Sequence, residues 1–311
     1  MMETIKTNSI HAWILAARPK TLTGAVIPVL IATSLALAHK AFKPLPALLC
    51  LLFACGMQVA ANFINDLYDH LKGTDREDRL GPERACAQGW ITPTAMKKGI
   101  GLAILLAWLA GGGLLYACGH GLPYGGWELT AVGALCVLSA FLYTTILSYH
   151  GWGDLAVLVF FGFIPVAGTY YVQAGEITTD VVVASLVCGL VTDTLLVVNN
   201  YRDRKQDALS GKRTLIVRLG EPFGRYAYLG LGIVATLLSF RFGIDNDLIS
   251  SPALPVNPAA LLMPPLYLFF HVRTWQRMCR IRSGKELNSI LGETSRNMLL
   301  MGLLLSAAIL M

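Results

Sequence analysis

Two short stretches of the chain carry oxygen ligands at helical spacing. The first, NFINDLYDHLKGTD over residues 62–75, offers Asn62, Asn65, Asp66, Asp69 and Asp75. The second, NNYRDRKQDALSGKRTL over residues 199–215, offers Asn199, Asn200, Asp203 and Asp207. Asn65 and Asp69 are four apart, as are Asn199 and Asp203, and Asp203 and Asp207. On a helix each set forms a ladder on one face, with steps of about 6 Å. Where two such faces meet, the carboxylates repel one another unless cations are present. Hard oxygen ligands of this kind suit Mg²⁺, which takes one or two carboxylates, some waters and the phosphate oxygens of a substrate. The chemistry expected is that of an anionic phosphate held through metal, with Arg and Lys helping.

The elements that position these ladders are membrane helices. The chain has 311 residues, 55% hydrophobic and 14% charged, with mean hydropathy +0.57. Soluble domains carry roughly 25% charged residues, so the composition excludes a soluble enzyme and implies a polytopic membrane protein. Each ladder ends an apolar run, and ionised groups at that depth are costly and usually functional. Spans of about 20 apolar residues are expected at about 21–38, 45–68, 96–118, 128–147, 153–173, 180–200, 223–242, 256–273 and 290–310, about nine in all. The polar first twelve residues and the absence of a small-residue cleavage site argue against a signal peptide.

Lys and Arg sort by side in such an arrangement. The N-terminus and the segments after the second, sixth and eighth spans hold nearly all of them, and the other side keeps Lys40, Lys43 and Arg241. The positive-inside rule then puts the N-terminus and both acidic stretches in the cytoplasm and the C-terminus outside. The net charge of +6 is thus accounted for by membrane topology and calls for no nucleic acid. The seven cysteines form no CxxC pair and read as small buried hydrophobes.

At these residues the chain resembles the UbiA superfamily of intramembrane aromatic prenyltransferases. NDLYDHLKGTD and NNYRDRKQDALSGKRTLIVRLG are similar to its two acidic motifs, and AARPKTLTGAVIPVL, RLGPERACAQGWITP and GWGDLAVLVFFGFIPVAGTYYVQAG match as well. The inserted Gly73 and late Asp75, with Asn200 where other members have Asp, resemble the 1,4-dihydroxy-2-naphthoate polyprenyltransferase branch, the menaquinone enzymes. The resemblance covers about residues 13–225.

It implies one all-α transmembrane prenyltransferase domain over residues 1–311, about nine helices around a central cavity, in the bacterial cytoplasmic membrane. It implies a polyprenyl diphosphate and an aromatic acceptor, 1,4-dihydroxy-2-naphthoate, joined with loss of CO₂ and diphosphate. Mg²⁺ is the implied cofactor, two ions with Mn²⁺ able to substitute. Asn65 and Asp69 would hold one ion, and Asn199, Asp203 and Asp207 the other. Asp66 and Asp75 would be outer or water-mediated ligands. Asn62 and Asn200 would lie beside substrate, and Arg18, Lys212 and Arg213 would take further negative charge. Tyr143 and Tyr149 are candidates to face the allylic cation, and Phe63 fits packing better. Many relatives carry a Lys after the Tyr that ends the fourth span; LYTTILSYHGWGD has none, as the naphthoate branch does as a rule, and Lys20 or Arg84 would supply that cation. Asp154 would steer the acceptor hydroxyls or cap the fifth span.

Two other readings belong beside this one. The acceptor could be 4-hydroxybenzoate, homogentisate or a chlorin. A cation-coupled transporter would also use intramembrane acids, but near the midplane rather than at one end beside basic loops.

Overall fold

The computed structural model describes residues 5–73, 79–244 and 257–311, and over these the chain is all-α. A short α1 (Ile10–Ala17) is capped by the Ser9 hydroxyl, which accepts from the Ala12 N–H. Then follow α2 (Thr23–Ala38), α3 (Pro44–Leu71), α4 (Pro93–Cys118), α5 (Trp127–His150) and α6 (Gly153–Ala174). The chain continues in α7 (Thr179–Leu209), a short α8 (Leu215–Leu219), α9 (Glu221–Ser239), α10 (Pro258–Ile281) and α11 (Leu287–Leu310).

Each apolar segment expected from the sequence coincides with one of the long helices. Among the described residues, six helical segments are long and apolar enough to cross a membrane: α3 to α7, and α9 with its extension to Gly243. α2 has only 16 residues, and α10 and α11 carry several charged or amide side chains along their 24 residues each.

The two helices with acidic ends outrun the expected spans. α3 continues to Leu71 and α7 to Leu209, because leaving the bilayer does not end a helix whose backbone is internally bonded. Asp69, Asp203 and Asp207 therefore stand on continuous helix. α1 was not foreseen. It docks against α3 and α4 through Ala12, Ala16, Phe63, Ile64 and Met96, and Phe63 packs edge-on against Trp13 with ring centroids 5.3 Å apart, the packing role expected of it.

The helices close into a ring in near-sequential order, with α11 returning to α2. One core joins α2, α6, α7 and α11 through Ile31, Leu35, Tyr170, Val187, Met298 and Met301. Lipid tails are as apolar as these side chains, so close backbone approach does much of the holding in a membrane. Gly56 of α3 sits over Ala107 of α4, and Gly162 of α6 lies against Gly189 of α7.

That second contact occurs where α6 widens into a π turn, Leu158–Phe163. Pro165 lacks the N–H that would bond the Phe161 carbonyl. The Cys188 thiol of α7 donates to that carbonyl instead, at 3.4 Å. Sequence and packing thus explain one irregularity together.

Candidate active site

α2 to α7, with Arg18 and Thr21 from the α1–α2 junction and Met298 of α11, line a cavity of about 480 Å³. Its walls are mostly apolar, among them Phe53, Met57, Trp108, Phe160 and Phe161. One end is polar, where Arg18, Gln58, Asn62, Asn65, Tyr143 and Asn199 line it. Asn65 and Asn199 are the inner rungs of the two ladders, and both line this one cavity.

The first ladder splits by face. The Asn65 carbonyl oxygen accepts from the Thr144 hydroxyl at 2.6 Å. Thr144 belongs to a π turn in α5, Tyr143–Leu147, a distortion frequent at functional sites. Asp69 accepts from Arg84 Nη2 at 2.7 Å, and both groups are buried. Asp66 is 1% exposed. Its two oxygens accept the Ala85 and Cys86 N–H groups at 2.9 and 2.8 Å. Asp66 thereby anchors the α3–α4 connection, which brings Arg84 onto Asp69. Asp75 lies outside the described residues.

The second ladder is also balanced by bases. Asp203 is held by Arg202 through a two-pronged contact, Nε to Oδ1 at 2.7 Å and Nη2 to Oδ2 at 2.6 Å. Asp207 has Lys212 Nζ at 3.9 Å and is within electrostatic reach of both Asp203 and Asp69. Carboxylates of both helix ends therefore act on a common space. Asn200 is half-buried and does not line the cavity.

Arg18 takes a left-handed backbone conformation, φ 51°, uncommon for a residue with a side chain and a frequent sign of a functional position. Its carbonyl accepts from the Thr21 hydroxyl at 2.9 Å. Asn62 Nδ2 donates to both Thr21 Oγ1 and the Ala17 carbonyl at 2.9 Å. Asn62 thus fixes the turn that aims Arg18 into the cavity, 3.9 Å from Asp66. Burial, and after it the Arg84 guanidinium, push the Arg18 pKa down to about 9. A charged Arg18 is costly beside another guanidinium, and an arriving anion relieves that cost. Lys20 stands in the turn Pro19–Thr21; its side chain lies outside the described part.

The aromatic candidates separate. Tyr143 lines the cavity and interacts electrostatically with Asp154, Asp193, Asp207 and Asp69. Tyr149 sits at the mouth, its ring covered by Lys72 at 4.2 Å and Lys212 at 5.3 Å. The Tyr149 carbonyl accepts the Arg213 N–H at 2.9 Å, and the Arg213 side chain is exposed. Asp154 does not cap its helix: Trp152 occupies the cap position and makes no side-chain capping bond. Asp154 sits two residues further in and interacts with buried Asp193 of α7.

Sequence reasoning missed Thr21, Gln58, Thr144 and Arg202. Only Arg202 had a local signal, a base next to Asp203 in an acidic run.

Among the described residues no group of three or more His, Cys, Asp or Glu could hold an ion by itself. The donors present are amide and carboxylate oxygens of two separate helices. That set fits Mg²⁺, which takes only one or two carboxylates when phosphate oxygens complete its shell.

The sequence is 37% identical over 237 residues to the 1,4-dihydroxy-2-naphthoate octaprenyltransferase of Escherichia coli (strain K12), covering 74% of this chain and 76% of that protein. It is 35% identical over 304 residues to the protein of that name from Mycobacterium tuberculosis (strain ATCC 25618 / H37Rv), covering 97% of each. Among solved structures, the fold is similar to a UbiA homolog from Archaeoglobus fulgidus bound to GPP and Mg²⁺, with TM-score 0.64 at 12% identity over 96% of this chain and 99% of that one. The apo UbiA homolog from Aeropyrum pernix K1 superposes with TM-score 0.65 at 16% identity, covering 92% of this chain and 96% of that one. Residues 25–283 match the UbiA prenyltransferase family. Two acidic helix ends over an apolar cavity, and sequence similarity across most of the chain, lead to one conclusion: this protein belongs to the UbiA prenyltransferase family.

Proposed function

We propose that the chain is a Mg²⁺-dependent prenyltransferase that joins a polyprenyl diphosphate to 1,4-dihydroxy-2-naphthoate, releasing diphosphate and CO₂ and giving the demethylmenaquinone skeleton in its reduced, quinol form. The observation that carries this reading is that Asn65 and Asn199, the inner rungs of the two ladders, line one apolar cavity, with Asp69 and Asp207 within electrostatic reach of each other. The naphthoate acceptor is supported by the names of the relatives. The reading takes residues 1–311 as one domain of nine spans in a bacterial cytoplasmic membrane, with the acidic end and N-terminus cytoplasmic and the C-terminus outside.

Two Mg²⁺ ions, replaceable by Mn²⁺, would be held by Asn65 and Asp69 on one side and Asn199, Asp203 and Asp207 on the other, and would neutralise charge on the leaving diphosphate. Arg18 binds the same anion from within the cavity, and Lys212 and Arg213 add positive charge at the mouth. As the C–O bond of the donor breaks, these fixed cations act where negative charge grows, which favours the transition state over the ground state. The apolar walls keep water from the allylic cation, and the Tyr143 ring offers it a π face. The acceptor ring then forms the new C–C bond at the carbon bearing its carboxylate. The C–CO₂⁻ bond pair returns to the ring as CO₂ leaves, so that carbon needs no base.

The test is purified protein in detergent, offered one radiolabelled polyprenyl diphosphate and several acceptors with no membrane gradient, with CO₂ release followed. Prenylation of dihydroxynaphthoate with matching CO₂ is the expected result. Prenylation of 4-hydroxybenzoate instead overturns the acceptor, and no transfer to any acceptor overturns the enzyme reading. Arg18→Gln removes one charge-assisted contact worth roughly 1.5–3 kcal/mol. The KM for the prenyl diphosphate should then rise about tenfold to a hundredfold, with the acceptor KM unchanged. An unaltered donor KM removes Arg18 from the diphosphate site.

A further inference from the structure

The two acidic helix ends lie on different helices, and a side chain from a third helix ties their surroundings together. Asn288, in the first turn of α11, accepts from Arg202 Nη1 at 2.8 Å and donates from Nδ2 to the Leu80 carbonyl at 2.8 Å. Arg202 in turn grips both oxygens of Asp203. Leu80 begins the segment that delivers Arg84 to Asp69 and the Ala85 and Cys86 N–H groups to Asp66. One amide therefore joins the partner of the second ladder to the loop that holds the first.

A second observation concerns Gly81, which lies on the same guanidinium. A Cβ there would stand 2.9 Å from Arg202 Nη2. Arg202 is 3% exposed and bonded at three nitrogens, so its planar fork has little freedom to yield. The loop backbone rests on the guanidinium because no side chain intervenes.

We propose that Asn288 is a positioning residue for the metal–diphosphate site, acting on Asp203 through Arg202 and holding the α3–α4 loop in register with it. The inference rests on the reading above, in which Asp203 faces the metal-bound diphosphate. A two-pronged guanidinium occupies one lone-pair direction on each Asp203 oxygen and leaves the others for a cation. That division is useful only if the guanidinium cannot rotate. The Asn288 carbonyl stops the rotation by holding Nη1, and the Leu80 contact fixes the amide itself. Groups that orient a metal ligand in this way commonly change affinity by about tenfold to a hundredfold when removed.

The test uses the full-length protein in detergent, with Mn²⁺ and inorganic pyrophosphate as probes. Electron paramagnetic resonance reads bound Mn²⁺, hydrogen exchange reads residues 79–86, and a thermal melt reads the fold. Asn288→Ala should weaken Mn²⁺–pyrophosphate binding about tenfold and speed exchange over 79–86. Asn288→Asp keeps an acceptor for Arg202 but loses the donor to Leu80. It should recover most of the affinity while exchange stays fast. Wild-type affinity in Asn288→Ala overturns the proposal, and so does an affinity loss that Asn288→Asp fails to recover. Should the Ala variant not fold, the Asp variant decides alone, and weak ion binding or slow exchange in it overturns the proposal. Asp203→Asn is measured in parallel. If it binds Mn²⁺–pyrophosphate normally, the metal reading fails and takes this inference with it. If it does not bind while both Asn288 variants bind as wild type, this inference alone fails.

Discussion

Asp203→Asn should lower prenyl transfer by about a thousandfold, with a smaller drop in melting temperature than Asp203→Ala. The substitution keeps the side-chain volume and one oxygen to accept from Arg202, but its NH₂ cannot accept the second Arg202 N–H, so the pair is weakened rather than emptied. What it removes is negative charge at the position where the second ladder would meet an ion. Asp203→Ala tests two things at once. It leaves the Arg202 guanidinium, whose side chain is 2% exposed, with no acceptor at all from position 203. Breaking a buried pair from one side costs about 3–5 kcal/mol, so lost activity there mixes chemistry with folding. The same contrast holds at Asp69, whose partner Arg84 is 9% exposed. Asp207 is the least entangled of the three, with Lys212 at 3.9 Å, and Asp207→Asn should reduce transfer without moving the melt. Turnover of a radiolabelled prenyl diphosphate in detergent, beside a thermal melt, separates these cases. Near-normal turnover of Asp203→Asn would sink the assignment of the second ladder to metal and diphosphate.

The residues that define this experiment were legible in the sequence because their spacing is local. Asn199, Asp203 and Asp207 lie one helical turn apart, and an apolar run before them fixes where the helix sits. Asn65 and Asp69 were legible for the same reason. Apolar length alone located the helices, but not their ends: α7 runs to Leu209, because hydropathy reports the bilayer and not the backbone hydrogen bonds beyond it. The division of labour among the acids was hidden. Asp66 and Asp69 are three residues apart, yet one is spent on the Ala85 and Cys86 N–H groups and the other on Arg84. Those partners come from a loop whose path no helical periodicity specifies. Tyr143 and Tyr149 looked equivalent as aromatic candidates, and only the fold separates a ring in the cavity from one under two ammonium groups. Asn288 is 85 residues beyond Asp203 in a helix with no motif, and its role depends wholly on tertiary contact.

Gly162→Ala should be among the most damaging substitutions away from the acidic residues. A Cβ there would stand 2.6 Å from the Ser185 carbonyl oxygen and 2.8 Å from Gly189 Cα. Both obstacles are backbone atoms of α7, so no side chain can turn aside. The reverse approach is as tight, since a Cβ on Gly189 would lie 3.2 Å from both Leu158 Cα and the Leu158 carbonyl oxygen. Overpacking typically costs about 1–3 kcal/mol and occasionally more, and helix backbone on both sides places this case at the upper end. The cost reaches the site because α7 is rigid. Moving it off α6 carries Asn199, Asp203 and Asp207 away from Asn65 and Tyr143, and a misplacement of about 1 Å can cost a hundredfold in rate. The expected result is a lowered melting temperature together with lost transfer at saturating Mg²⁺. Gly230→Ala is the matched control, in α9, where an added Cβ meets nothing within 4 Å; its melt should equal or exceed wild type, since Ala is the better helix former. A Gly162→Ala protein as stable and active as wild type would mean that α6 and α7 can separate without cost, and the rigid crossing would then not be what sets the second ladder against the first.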